Sequence, residues 1–299
     1  MKRKPILFVA PLALLLLAAA LPALASAKEP RELYVSLGDS LSVGVQQDES
    51  GENVLTRDGY PRQLARKVKG VKLVELGCAN TTTEEFIKGA KCAFPSHDPG
   101  YENNSPKTSQ LATAERFLRK HRERIAFVTI DLGANDLLDC AEGGAIDVAC
   151  VSDGVAGIER NVPKIARRLR EAAGKRIPMA TMTLYDPYLE QWFHGDAGKL
   201  FAQASVALAR DQVNPAITQG FKQGRFKIAR VAEAFDTYEP FENTTTYAAQ
   251  TGVPVAVAQI CELTAMCKPP PLGPDIHATD AGYAVMAAAF RKALGKAAQ

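Results

Sequence analysis

The sequence predicts an α/β fold, a three-layer α/β/α sandwich around a central, mainly parallel sheet of about five strands, as in flavodoxin-like architectures. Short apolar runs rich in β-branched residues alternate with helical segments of a dozen residues or more, and that alternation places helices on both faces of a parallel sheet. No linker, repeat or shift in composition appears after about Lys28, so residues 28–299 read as one domain. Of 299 residues, 46% are hydrophobic and 23% charged, which suits a globular chain with a sizeable core.

Leu33–Leu37 is a short apolar strand, Pro61–Val68 a helix and Val71–Leu76 a strand. Ser109–Lys120 is helical, with Leu111, Ala114, Phe117 and Leu118 on one face. Ile125–Leu132 is the most continuous strand signal. Gly154–Ala173 reads as a long helix despite Pro163, Ile177–Tyr185 as a strand, Lys199–Gln219 as a helix and Phe226–Val231 as a short strand. Thr279 caps a final helix in which Ala281, Val285, Ala288 and Ala289 recur at helical spacing. Two long stretches, Lys91–Thr108 and Asp236–Asp275, read as irregular; loops of that length in a compact domain are usually functional or disordered.

The first 27 residues stand apart. Lys2, Arg3 and Lys4 precede an apolar run from Ile6 to Leu24, and Ala25-Ser26-Ala27 supplies small residues of the kind a signal peptidase cleaves. The run is also long enough for a retained membrane anchor. Either way the remainder is expected to be secreted or extracytoplasmic, with no stable membrane insertion once the segment is removed. Those three basic residues account for the whole positive balance of 36 Lys and Arg over 33 Asp and Glu, so a chain without them is neutral and carries no charge signature for nucleic acid. The six cysteines form three sequence-local couples, Cys78–Cys92, Cys140–Cys150 and Cys261–Cys267, expected as disulfides in an exported chain. No Cys-x-x-Cys pair or Cys/His spacing suggests zinc.

Two strands end alike. Leu33–Leu37 runs into Gly38-Asp39-Ser40, and Ile125–Leu132 into Gly133-Ala134-Asn135-Asp136. In a parallel sheet the carboxyl ends of strands open onto the ligand crevice. Ser40 there is either a nucleophile at a helix N-terminus, where partial positive charge favours a developing anion, or a cap of that helix with Asp39. Asn135 would share the same edge and offer an amide hydrogen to an oxyanion, or be a plain turn residue. Of four histidines, His121 sits in a charged run and His97 and His194 in polar loops; His277, just before the Thr279 cap with Asp275 two residues back, suits a general base.

"SLGDSLSVG", "DLGANDLL" and "DIHATDAGYAVMA" resemble the first, third and fifth sequence blocks of the SGNH, or GDSL-type, hydrolases, in family order; "ELGCANTTTEEFIKG" resembles the second block, and "TLYDPYLEQW" a segment common in exported members. The resemblance spans nearly all of the chain after residue 27. It implies a secreted serine esterase or lipase acting on a small-molecule or lipid carboxylic ester without cofactor or metal. Ser40 would be nucleophile, His277 base, and the oxyanion hole the Ser40 and Asn80 backbone N–H groups with the Asn135 side chain. Asn80 stands where the family has glycine, with Gly77 as the alternative donor; Asn80-Thr81-Thr82 is also a glycosylation sequon, as are Asn103 and Asn243 with their neighbours. The family's acid lies three residues before the histidine, where this chain has Pro274, so Asp275 or a backbone carbonyl would orient the imidazole. The GxSxG elbow of α/β-hydrolases is absent. Two rivals are a metal-dependent phosphoesterase using Asp39, Asn135, Asp136 and His277, and a non-catalytic secreted protein that binds carbohydrate or surfaces. Pocket walls are expected from Lys91–Thr108, Tyr185–Lys199 and Asp236–Asp275, with Phe94, Tyr101, Tyr185, Tyr188, Trp192, Phe193, Tyr238 and Phe241 as candidate acyl-site residues. The default assembly is a monomer.

Overall fold

The computed structural model describes Met1, residues 32–92, Phe94, residues 108–141 and residues 145–299. The expected leader after Met1, His97, Tyr101 and the Asn103 sequon lie outside the described residues. The architecture below is that of the unit Arg31–Gln299.

β1 (Glu32–Gly38) runs into a single helical turn, α1 (Ser40–Val43), a small hairpin of β2 (Val45–Gln47) and β3 (Asn53–Leu55), then α2 (Tyr60–Lys67) and β4 (Val71–Glu75). There follow α3 (Thr83–Lys88), α4 (Gln110–His121), β5 (Ile125–Asp131), α5 (Val148–Ala173) and β6 (Met179–Met182). After α6 (Gly195–Leu208), a π-helical turn at Ala209–Val213 leads into α7 (Asn214–Lys222), β7 (Lys227–Ala229) and α8 (Val231–Ala234). A second hairpin, β8 (Thr244–Tyr247) and β9 (Gln250–Pro254), precedes α9 (Val255–Leu263) and α10 (Asp280–Leu294).

The central sheet has strand order β4-β1-β5-β6-β7, and every pairing in it is parallel. α4, α5 and α7 pack together, as do α2 and α10, giving the helical layers of the expected sandwich. Phe127, Val128 and Ile130 of β5 are fully buried. Each such side chain contributes about 1.5–3 kcal/mol. The order places the site. From β1 the chain steps outward to β4, then crosses back to β5 on the other flank of β1, so the topology reverses between β1 and β5. Ligand crevices of open α/β sheets form at the carboxyl ends of strands flanking such a reversal. The register aligns Gly38 with Asp131, so both strands end at one level.

Several expectations need correction. Of the expected strand Ile177–Tyr185, β6 covers Met179–Met182, with one further backbone bond on each side, from the Val128 N–H to the Pro178 carbonyl and from the Thr183 N–H to the Ala229 carbonyl. Beyond it, the Asn214 side chain takes the place of a neighbouring strand: the Leu184 N–H donates to Asn214 Oδ1 at 2.7 Å and Asn214 Nδ2 to the Leu184 carbonyl at 2.9 Å. Lys199–Gln219 follows a helical path broken by the π turn; Pro215 has no N–H for the carbonyl four residues back, so regular α pairing fails there. The stretch Asp236–Asp275 is not irregular, since it holds the β8–β9 hairpin and α9. In α9, Ala256, Val257, Ala258, Ile260 and Cys261 are all buried, which removes the polar face that marks a helix in sequence. α5 starts at Val148, earlier than Gly154, because Asp147 caps it through a bond from the Cys150 N–H at 3.0 Å. Cys78–Cys92, Cys140–Cys150 and Cys261–Cys267 are all bridged.

Candidate active site

Gly38 ends β1 at φ +130°, and a Cβ there would stand 2.2 Å from the Asp131 carbonyl oxygen. Only glycine lets the two strand ends approach this closely. Asp39 then caps α1, its Oδ1 accepting the Leu41 N–H at 3.2 Å, and Ser42 Oγ donates to the Asp39 carbonyl at 2.8 Å. Ser40 is the first residue of α1 and is buried. Because α1 is a single turn of four residues, few peptide dipoles align behind Ser40, so the expected helix-terminus stabilisation of an anion is small. Gly77 serves close packing, since a Cβ there would lie 1.9 Å from Ser42 Oγ.

Asn135 follows β5 at the same sheet edge. Its Nδ2 donates to Asp39 Oδ2 and to the Thr81 carbonyl, each at 3.2 Å, so one carboxamide ties together the ends of β1 and β5 and the loop after β4. Asn80 is exposed at φ +63°, a left-handed conformation that asparagine tolerates, and lies outside the lining of the cavity described below. Asp136 accepts the Thr83 N–H at 2.9 Å and the Thr83 hydroxyl at 2.6 Å, anchoring α3 to the β5 end.

His277 precedes Thr279, whose hydroxyl caps α10 by accepting the Gly282 N–H at 3.2 Å. Asp275 Oδ1 contacts His277 twice, accepting its backbone N–H at 2.9 Å and meeting ring Nδ1 at 2.8 Å. An imidazole with Nδ1–H on a carboxylate presents Nε2 as its basic nitrogen. Burial acts to raise the Asp275 pKa, but the hydrogen bond and charge of His277 outweigh it and hold the carboxyl below its ordinary value. Tyr185 Oη donates to the Ile276 carbonyl at 2.7 Å and its ring stacks on Phe235 at 4.6 Å, which fixes the loop carrying His277.

Ser40, Asn135 and His277 line one cavity of about 140 Å³ together with Asp39. Its remaining wall is mainly aliphatic: Leu137, Leu138, Ile146 and Val151 from the approach to α5 and its first turns, Leu184, then Leu208, Ala209 and Val213 around the π turn. Of the aromatic residues expected to form it, Tyr185 and Tyr188 do. Trp192 stacks on Phe241 at 5.0 Å, packed against the core, and Phe94 packs beside Val43, Val45 and Ala79. Trp192 and Phe241 thus extend the main core and Phe94 a small satellite one, while the cavity wall includes segments read from sequence as a strand end and a helix interior. Asp186 also faces this space; burial pushes its carboxyl up to about 6, against the bond its Oδ1 accepts from the Tyr188 N–H at 3.0 Å.

Asp131 was not among the residues singled out from sequence. It is fully buried at the end of β5, its Oδ1 accepting the Tyr60 hydroxyl at 2.6 Å and its Oδ2 the Asp39 N–H at 3.3 Å. The Asp39 carboxyl stands well above its ordinary pKa, first through burial and then through the charge of Asp131; burial raises Asp131 too, opposed by the bonds from Asp39 and Tyr60. The available signal was an acid inside an otherwise apolar strand, Ile125-Ala126-Phe127-Val128-Thr129-Ile130-Asp131. Asn214, which shapes the cavity through Leu184, had no sequence signal beyond lying in a helical stretch.

A family model described as the GDSL-like Lipase/Acylhydrolase family matches residues 36–285. A comparison with curated proteins finds no match. Among solved structures, the chain is similar to an extracellular lipase from Streptomyces rimosus, with a TM-score of 0.54 and 17% identity over 88% of this chain and 99% of that one. It is also similar to a phospholipase A1 from Streptomyces albidoflavus NA297, with a TM-score of 0.45 and 15% identity over 76% and 94% of the two chains. A lipase/acylhydrolase from Enterococcus faecalis gives 0.42 and 14% over 87% and 94%. The first of these likenesses shows a shared fold.

Proposed function

Since the chain belongs to the GDSL-like lipase/acylhydrolase family, we propose that it is an exported serine carboxylesterase for esters with an aliphatic acyl group. The observation that carries this reading is the shared cavity: a serine, a histidine with a carboxylate on Nδ1, and a carboxamide at one end, and an apolar wall at the other.

In this mechanism His277 Nε2 takes the proton of Ser40 Oγ as the oxygen attacks the ester carbonyl. Asp275 holds the tautomer that leaves Nε2 free and stabilises the imidazolium that forms. The tetrahedral oxyanion rests against the Ser40 backbone N–H and Asn135 Nδ2, which releases one of its two resting acceptors to donate; Asn80, outside the cavity lining, is not needed for this hole. A single donor of this kind is worth about 3–4 kcal/mol of transition-state stabilisation. His277 then protonates the departing alcohol, and water activated by the same base frees the acid. The acyl chain lies along Leu137, Val151, Leu208 and Val213, where each buried methylene contributes about 0.8 kcal/mol. Three disulfides support an oxidising compartment.

The test is a series of p-nitrophenyl esters from acetate to decanoate, with a fluorophosphonate probe and the Ser40→Ala variant. Turnover that rises with chain length and then falls, and labelling lost with Ser40, are expected. Undiminished hydrolysis by Ser40→Ala would refute the assignment.

A further inference from the structure

Next to the nucleophile, two buried carboxyl groups meet. Asp39 and Asp131 are both buried side by side, Asp131 Oδ2 accepting the Asp39 N–H at 3.3 Å, and two carboxyl groups so close and away from water do not both ionise, so one carries a proton. Their other partners decide which. Asp131 accepts from the Tyr60 hydroxyl at 2.6 Å and from the Asp39 N–H at 3.3 Å, which suits an anion. Among the described residues the Asp39 carboxyl accepts from the Leu41 N–H and Asn135 Nδ2, each at 3.2 Å, with no bond as short as the one Tyr60 gives Asp131.

We propose that Asp39 and Asp131 hold one proton between them, carried by Asp39, and that Asp131 thereby acts as a positioning residue for the oxyanion donor Asn135. The proposal rests on the esterase reading above. A neutral Asp39 accepts the Asn135 amide weakly, so the amide can turn part of its hydrogen bonding to the oxyanion. An ionised Asp39 would grip Asn135 Nδ2 with a charge-assisted bond, roughly twice as strong, and would set a like charge beside the forming oxyanion. The groups facing the pair reinforce this arrangement. They are the hydroxyls of Tyr34, Tyr60, Tyr185 and Tyr283 and the carboxyl of Asp136, with the imidazole of His277 sharing the cavity. Among these groups only His277 can carry positive charge, so a second ionisation in the pair has little to offset it. Burial is the largest cause keeping Asp39 protonated, and the charge of Asp131 comes next.

The experiment compares wild type, Asp131→Asn and Asp39→Asn by infrared difference spectroscopy with ¹³C-labelled aspartate at pH 8, together with pH profiles of kcat and KM on a p-nitrophenyl ester. Wild type is expected to show one protonated-carboxyl band that both variants lose. Asp131→Asn removes the charge that, after burial, most favours the protonated form of Asp39, so Asp39 should ionise at lower pH than in wild type; kcat at pH 8 should drop roughly 10- to 100-fold with KM unchanged, and the deficit should shrink as pH falls. A purely structural role would lower activity equally at all pH values, which would overturn the proposal. Absence of the band in wild type would also overturn it, and that measurement stands even if a variant does not fold. If the fluorophosphonate probe labels Ser40 but Asp131→Asn shows no pH-dependent deficit, the positioning role alone fails. If nothing labels, the esterase reading fails with it.

Discussion

Asp275→Asn separates charge from geometry at the base. One oxygen, Oδ1, accepts both the His277 N–H at 2.9 Å and the ring Nδ1–H at 2.8 Å. Asparagine can put its carbonyl oxygen in the same place, so the tautomer and the backbone turn are kept while the negative charge is lost. The charge matters when His277 becomes an imidazolium in the transition state. Charges about 4 Å apart at an effective dielectric of about 20 interact by about 4 kcal/mol. The amide dipole retains part of that, leaving a loss of about 2–3 kcal/mol, or roughly 30- to 150-fold in kcat. Solvent screens the pair little, since the side chains of His277 and Asp275 are 9% and 11% exposed. The assay is kcat and KM on p-nitrophenyl butyrate, with circular dichroism and Tm to verify folding. Asp275→Ala, which leaves both N–H groups without an acceptor, should lose more than Asp275→Asn. A folded Asp275→Asn enzyme that loses less than tenfold in kcat would refute the reasoning and point to another group as the orienting acceptor.

Asp186 yields a stability prediction. Its folded pKa of about 6 exceeds the ordinary 3.8, so the folded state keeps a proton that the unfolded chain has already released between those values. Wild-type stability therefore falls as pH rises through that window, by about 3 kcal/mol in total. Asp186→Asn does not titrate, so its Tm advantage should widen from pH 4 to pH 7; a constant difference would contradict the assignment. Val151 is buried on the cavity wall, and Val151→Phe should lower kcat/KM for octanoate relative to acetate by roughly 10- to 200-fold. Equal effects on both esters would mean that the acyl chain lies elsewhere.

Much of the fold was legible along the chain because its elements write local patterns. β5 is a continuous apolar run, α4 shows its buried stripe of Leu111, Ala114, Phe117 and Leu118, and Thr279 caps α10 where expected. The convergence of Ser40, Asn135 and His277 on one cavity was legible for a related reason: each follows or precedes an element boundary at a recognisable offset, and parallel strands bring such boundaries to one edge. α9 was missed because burial on nearly every side erased its period, and the end of β6 was misread because a side chain, Asn214, completes the backbone pairing there.

By itself the sequence determined the alternation of strands and helices, the cysteine couples and the residue types able to do acyl-transfer chemistry. These depend on periodicity, capping and spacing within short stretches. The tertiary structure alone decided that Asp131 sits against Asp39, next to Ser40, and that an aliphatic cavity built around the start of α5 and the π turn opens beside Ser40. Such contacts join segments far apart in the chain. They depend on strand order and register, which no local pattern encodes, and a buried acid or a wall of leucines gains its meaning only from what the fold places against it.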